Sequence, residues 1–236
     1  MEAFPGKRVE SINGAISGSL AADTLALLIY KVLYYEPDMV LVMHAINDLR
    51  YGAVPAYDPI RRTNYQKILY RPGYDEGIGR PLARLLKRSH FLTLIKWRLI
   101  NRIFPPEAEK YRSKLDQYDE FRRRRKETPV SPVAESKALP DFIKNLEEMI
   151  FITRGHGVRL ILMTEPSIYQ DPMPSKIDEK LWMGWLDLEG DQEMNLDNGF
   201  LLKEMNRFNE AVRELAQRQG VELIDLEKEI PKDLKH

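Results

Sequence analysis

The sequence predicts an open α/β fold, a three-layer arrangement in which a parallel sheet is covered by helices on both faces. Three observations carry that expectation. Short apolar runs alternate along the chain with amphipathic helical stripes. The runs are continuously apolar rather than alternating, which marks strands buried on both faces. With 236 residues and 43% hydrophobic content there is enough apolar material for one packed core.

The elements follow in order. Arg8-Val9-Glu10-Ser11-Ile12 reads as a first strand ending at the turn signal Asn13-Gly14. A helix is expected after Gly18, where Leu25, Leu28, Ile29 and Val32 recur at helical spacing and Asp23 sits in the first turn. Pro37-Asp38 stops it, and Met39 to Met43 is the next strand. Later, Leu139, Phe142, Ile143, Leu146, Met149 and Ile150 form a stripe with Pro140 at its start and Gly155 and Gly157 at its end. Val158 to Met163 is a further strand. Leu201, Met205, Phe208, Val212 and Leu215 mark a last long helix closed by Gly220, and Val221 to Leu226 a last strand. Residues 1–236 are read as one domain, interrupted from about Leu49 to Lys137 by an insertion with helices of its own. A smaller insertion, from Pro166 to Asn198, is rich in Pro, Asp and Trp.

Composition narrows the chemistry. The chain has no cysteine, which excludes disulfides, thiolate metal sites and a cysteine nucleophile. It has 36 basic and 36 acidic residues, so it is not a uniformly basic nucleic-acid binder, and no nucleic-acid motif is present. No phosphate-binding glycine pattern occurs, and the acids of the smaller insertion lack calcium-loop spacing. No metal or organic cofactor is expected.

An open α/β sheet binds ligands beyond the carboxyl ends of its strands. Asn13 to Ser19, His44 to Asp48, and Thr164 to Ser167 fall there. The first ends at a helix N-terminus, where free N–H groups and the helix dipole favour negative charge. Asn47 offers a neutral side-chain donor. A Gly18 N–H and the Asn47 amide converging on one oxygen would suit a developing oxyanion. The plainer reading makes Gly18 a turn residue and Asn47-Asp48 the end of a strand.

Asn13-Gly14-Ala15-Ile16-Ser17-Gly18 before a helix resembles the second sequence block of the SGNH (GDSL-type) hydrolases, a family of esterases and lipases. Ala45-Ile46-Asn47-Asp48 resembles the third block, with alanine in place of the usual glycine. Leu160 to Pro166, Trp182-Met183-Gly184-Trp185 and Asn206-Arg207-Phe208-Asn209 resemble the later region. The resemblance implies a flavodoxin-like sheet and hydrolysis of carboxylic esters by serine acyl transfer. It also implies Gly18 and Asn47 as oxyanion-hole donors and an ester of a small molecule or lipid as substrate. Trp182, Met183 and Trp185 are candidates for lining the acyl pocket.

Two family blocks are wanting. No Gly-Asp-Ser strand precedes the second block, so the nucleophilic serine is missing. Asp233-Leu234-Lys235-His236 has the spacing of the Asp–His block, but at the extreme end of the chain. The expectation is a fragment that lacks its first strand and is inactive as given. A substitute pairing of Ser17 or Ser19 with His44 is the lesser alternative, the serines reading more simply as helix caps. Gly79 to Lys126 holds 15 basic and 5 acidic residues, with Phe91, Ile95, Leu99 and Ile103 on one helical face and a basic run from Arg122 to Lys126. That segment reads as a lid over the cleft or as a surface for an anionic membrane or acidic polymer. The competing functional class is a noncatalytic α/β binding module. Localisation is not legible.

Overall fold

The computed structural model describes residues 9–16, 18–59, 118–188 and 192–233. Three strands, β1 (Met39–Met43), β2 (Arg159–Met163) and β5 (Glu222–Ile224), form a parallel sheet in the order β1-β2-β5. Val42 faces Leu162, which faces Leu223 across the next pair. The remaining two strands, β3 (Trp185–Leu188) and β4 (Gln192–Asn195), make an antiparallel hairpin. The helices are α1 (Ala21–Tyr30), α2 (Ile46–Gly52), α3 (118–127), α4 (Leu139–Gly155), α5 (Ser175–Asp178), α6 (Asn198–Gln219) and α7 (Leu226–Glu229), with a 3₁₀ turn at Val32–Tyr35.

The two long helices form where the spacing places them. In α6 all five stripe residues, Leu201, Met205, Phe208, Val212 and Leu215, are buried. Asp197 accepts a hydrogen bond from Phe200 N at 2.7 Å, which caps the first turn. Gly220 closes the helix at φ 60°, the left-handed value that favours glycine. In α4 Phe142, Leu146, Met149 and Ile150 are buried, and Pro140 stands in the first turn where no N–H is needed. The rings of Phe142 and Phe208 lie 4.9 Å apart, so α4 and α6 pack on each other and together cover Leu160 and Leu162. Burying a side chain of that size contributes on the order of 2 kcal/mol, and this seam is the centre of the core.

Three expectations are corrected. Residues 9–16 form no strand; Val9, Ile12 and Ile16 are exposed there, and the backbone makes local turns, from Ala15 N to Asn13 Oδ1 and from Ser19 N to Ile16 O. Met39–Met43 is buried on one face only: Val42 is inside, whereas Met39, Leu41 and Met43 are 45%, 52% and 44% exposed. An uninterrupted apolar run does not report which face is covered, so periodicity could not separate the two cases. The described helices that pack on the sheet lie on the Leu160 face, so the second helical layer is not among the described residues. Finally, α1 is shorter than its stripe: Leu28 is buried, Ile29 is exposed, and Val32 belongs to the 3₁₀ turn.

Candidate functional site

Of the three segments assigned to the carboxyl ends of the strands, His44 to Asp48 and the stretch at Glu165 meet beyond β1 and β2, and the first reaches them only through Ser19, just before α1; carboxylates that serve helices other than their own hold the corner. Helix α1 is preceded by Leu20, which has no side-chain acceptor to offer the first turn. Asp48 of α2 supplies it, both oxygens accepting from Ala21 N at 3.1 and 3.2 Å, while Asp23 Oδ2 accepts from Leu20 N at 2.9 Å. Helix α2 is preceded by Ala45, equally without a side-chain acceptor. Glu165, two residues beyond β2, fills that position: its Oε2 accepts from Ile46 N at 2.9 Å, and Ala45 N also donates to it. Both helix starts are thereby satisfied by carboxyl oxygens. Glu165 is itself fixed, because Asn209 Oδ1 accepts from its N–H and Asn209 Nδ2 donates to its carbonyl, each at 2.9 Å.

Gly18 adopts φ 82°, so a side chain there would be strained, and the turn is closed by Ser19 N donating to Ile16 O at 3.1 Å. The Asn47 amide reaches the same corner, donating through Nδ2 to Ser19 O at 3.2 Å. A side-chain amide carries two N–H bonds. One is spent on Ser19, and the other has no protein acceptor among the described residues.

Burial sets the charge states. Asp48 is 6% exposed, and burial raises its pKa from 3.8 to about 7, against the opposing hydrogen bonds from Ala21; Glu165 and Asp23 push it in the same direction. Glu165 is raised by burial as well, offset by the Ile46 and Ala45 N–H groups. His44 is lowered from 6.5 to about 4, again by burial. Its Nε2 lies 2.7 Å from Thr24 Oγ1 and its Nδ1 3.8 Å from Asp48 Oδ2. Near pH 7 the imidazole is therefore neutral, and the Asp48 contact is too long for a hydrogen bond. Ser19 is not the partner of His44; Thr24 is. Ser17 lies outside the described residues.

A cleft of about 260 Å³ opens beside this corner. Its apolar wall includes Ile46, Ile168, Trp182, Met183 and Met205, and Glu165, Ser167, Tyr169 and Lys180 are polar residues that also line it. Trp182 and Met183 thus line the cleft. Trp185 does not; it is buried behind, 5.2 Å from the ring of Phe121. Tyr118 and Phe121 of α3 stack on Trp182 at 5.0 and 5.6 Å, and the Arg50 guanidinium lies 5.9 Å over the same ring. Helix α3 is the described end of the basic insertion. Its arginines are engaged at home: Arg122 with Asp119, Arg123 with Glu120 and Glu127, Arg124 with Glu120 and Glu193, and Arg125 with Asp178. The apolar stripe Phe91 to Ile103 lies outside the described residues, as does His236. Asp233 sits in the last described turn, its N–H donating to Pro231 O at 3.0 Å.

Of the residues the sequence proposed, Asn47 lies against the turn that holds Gly18, and Trp182 and Met183 lie on the cleft wall. Sequence reasoning gave no role of their own to Glu165, Asn209 or Thr24. One signal was available: Leu20 and Ala45 precede helices without being able to cap them, so each called for an acceptor from elsewhere.

No family model, curated protein or solved structure matches the chain.

Proposed function

We propose that this chain carries the oxyanion-binding half of an SGNH-type site for carboxylic ester hydrolysis on a flavodoxin-like sheet. The observation that supports this most is the Asn47 amide placed against the Gly18–Ser19 turn with a hydrogen to spare. A tetrahedral intermediate formed from an ester bears its negative charge on the former carbonyl oxygen. The Gly18 N–H and the second Asn47 N–H are suited to share it, and neutral donors held in place by helix starts need no reorganisation when the charge appears. The ester's organic portion lies in the cleft walled by Trp182 and Met183. Attack on the carbonyl carbon requires a serine and a histidine base, and among the described residues the only hydroxyl–imidazole pair is Thr24–His44, with His44 weakened as a base by burial. The substrate is a small-molecule or lipid ester.

The alternative of a noncatalytic binding module draws on one observation, the engagement of Asn47 with Ser19 O as a structural bond. The test is to express the reading frame around the chain, with its flanking codons, and to assay it on p-nitrophenyl butyrate beside an Asn47→Ala variant. Loss of one oxyanion donor typically lowers kcat by roughly 10²–10³ with little change in KM. A variant within threefold of its parent, or a parent that hydrolyses no ester, overturns the reading.

A further inference from the structure

The parallel sheet ends in two edges of different character. On one side β5 is only three residues long and carries Glu222, features that blunt an edge against further pairing. On the other side β1 pairs with β2 alone among the described residues, in unbroken register, and Met39–Met43 holds no charge and no proline. One bond fixes the direction of its free groups. Asp38 O accepts from Arg159 N at 3.1 Å, so Asp38 turns its carbonyl toward β2. Backbone groups alternate between the two sides along a strand, and the N–H and C=O groups of Met39, Leu41 and Met43 therefore point to the open side. No loop backbone meets them there among the described residues.

We propose that this edge pairs with the same edge of a second copy of the chain, antiparallel and in register about Leu41, so that two sheets join into one across a two-fold axis. The sequence of the strand selects that occupant. Met39-Val40-Leu41-Val42-Met43 reads the same in both directions, so an axis at Leu41 sets Leu41 against Leu41 and Met39 against Met43. These are the residues whose backbone groups face the open side, and each pair can exchange both of its N–H···O bonds. Charge is compatible with the same register. Asp38, the acid next to the strand, lies about 20 Å from its counterpart at about 3.3 Å per residue, beyond the Debye length of about 8 Å. Arg159 and Glu222 bind each other on β2 and β5, away from the edge. Met39, Leu41 and Met43 are about half exposed, so pairing covers apolar surface that a single copy leaves to water. A five-residue edge buries less than the roughly 1,200 Å² of a standard interface, which fits a reversible dimer with a micromolar-to-millimolar dissociation constant. The dimer does not rest on the ester reading, and either can fail while the other stands.

The test is sedimentation equilibrium of the full chain from micromolar to millimolar concentration. A monomer–dimer equilibrium that goes no further is expected, because an edge paired with itself is used up. Leu41→Lys and Leu41→Glu each set like charges directly opposite on the axis and should weaken the dimer at least fivefold. Mixed in equal amounts, the two variants should associate again, since Lys then faces Glu; only a register centred on this residue gives that recovery. Should a charged variant fail to fold, Leu41→Cys decides. The chain has no cysteine of its own, and a hydrogen-bonded antiparallel pair holds its Cα atoms about 5.5 Å apart, within disulfide reach. Mild oxidation should crosslink Leu41→Cys into a dimer at least tenfold faster than Phe151→Cys, which places an exposed thiol on α4. A chain that stays monomeric throughout, leaving the edge to another segment or another protein, overturns the proposal. So do growth beyond the dimer, a dimer that Leu41→Lys leaves unchanged, charged variants that do not recover on mixing, and equal crosslinking at the two cysteine positions.

Discussion

Asp48 joins the first two segments of the site, and its neutralisation offers the sharpest test of how they are held. Replacing it by Asn keeps an oxygen for Ala21 N and removes the ionisation. The unfolded chain releases this proton near 3.8, the native chain at about 7, so between those values the native state holds more protons than the unfolded one. Stability then falls as pH rises through that window. Three pH units at about 1.36 kcal/mol each give a loss of about 4 kcal/mol, full size because the group is almost wholly buried. Below pH 4 both states are protonated and the term vanishes. Asp48→Asn does not incur it, so the variant should gain on the wild type progressively from pH 4 to 7.5. Urea denaturation at half-unit intervals of pH measures the difference, and every other titrating group cancels in it. A wild-type-minus-variant difference that stays constant within about 1 kcal/mol across the window would refute the claim that Asp48 is a buried acid ionised against its surroundings.

The partner imidazole gives the opposite slope. His44 is lowered to about 4, so from pH 4 to 6.5 the unfolded chain holds the extra proton and stability rises with pH. His44→Gln, which retains a polar group for Thr24, should therefore lose about 3 kcal/mol relative to wild type as pH is raised from 4 to 7, read from the same melts. Parallel curves would show that the imidazole is not buried as described. At the α4–α6 seam, Phe208→Ala empties a fully buried ring site and should cost about 3–5 kcal/mol in urea melts at any single pH. A cost below about 1 kcal/mol would show the seam to be loosely packed.

Local patterns were legible because their causes are local. The stripes of α4 and α6 are set by 3.6-residue spacing, and Pro140, Asp197 and Gly220 punctuate them through dihedral preference and capping chemistry that act within a turn. The Gly18 turn and the Asn47 position were legible for the same reason. What stayed hidden depends on distant partners. Whether Leu41 is covered depends on what lies over the sheet, which its own sequence does not encode. Glu165 reads as one acid in a Thr-Glu-Pro turn until a chain 119 residues away places the Ile46 N–H against it. Asn209, noted in the sequence only within Asn206-Arg207-Phe208-Asn209, takes on its role when β2 brings Glu165 beside it.

The same long-range contacts explain why the site is held by acids at all. Leu20 and Ala45 sit where a serine or aspartate would cap more simply, and both are buried at 5% and 1%. Apolar residues at these positions fill the space under the sheet ends and leave the helix starts unsatisfied. Asp48 and Glu165 satisfy them from outside, and in doing so tie α1 to α2 and α2 to β2. A local cap would stabilise each helix separately, whereas these remote caps fix the distances between the segments. An oxyanion site depends on those distances, because its donors come from different segments. The arrangement costs burial of carboxylates whose pKa rises, and that cost is what the pH experiments on Asp48 detect. If Asp48→Asn removed the pH dependence and left the Asn47 side-chain amide resonance where it was, capping and donor placement would be separate functions. A coincident change in that resonance would show that the carboxylate holds the donor as well as the helix.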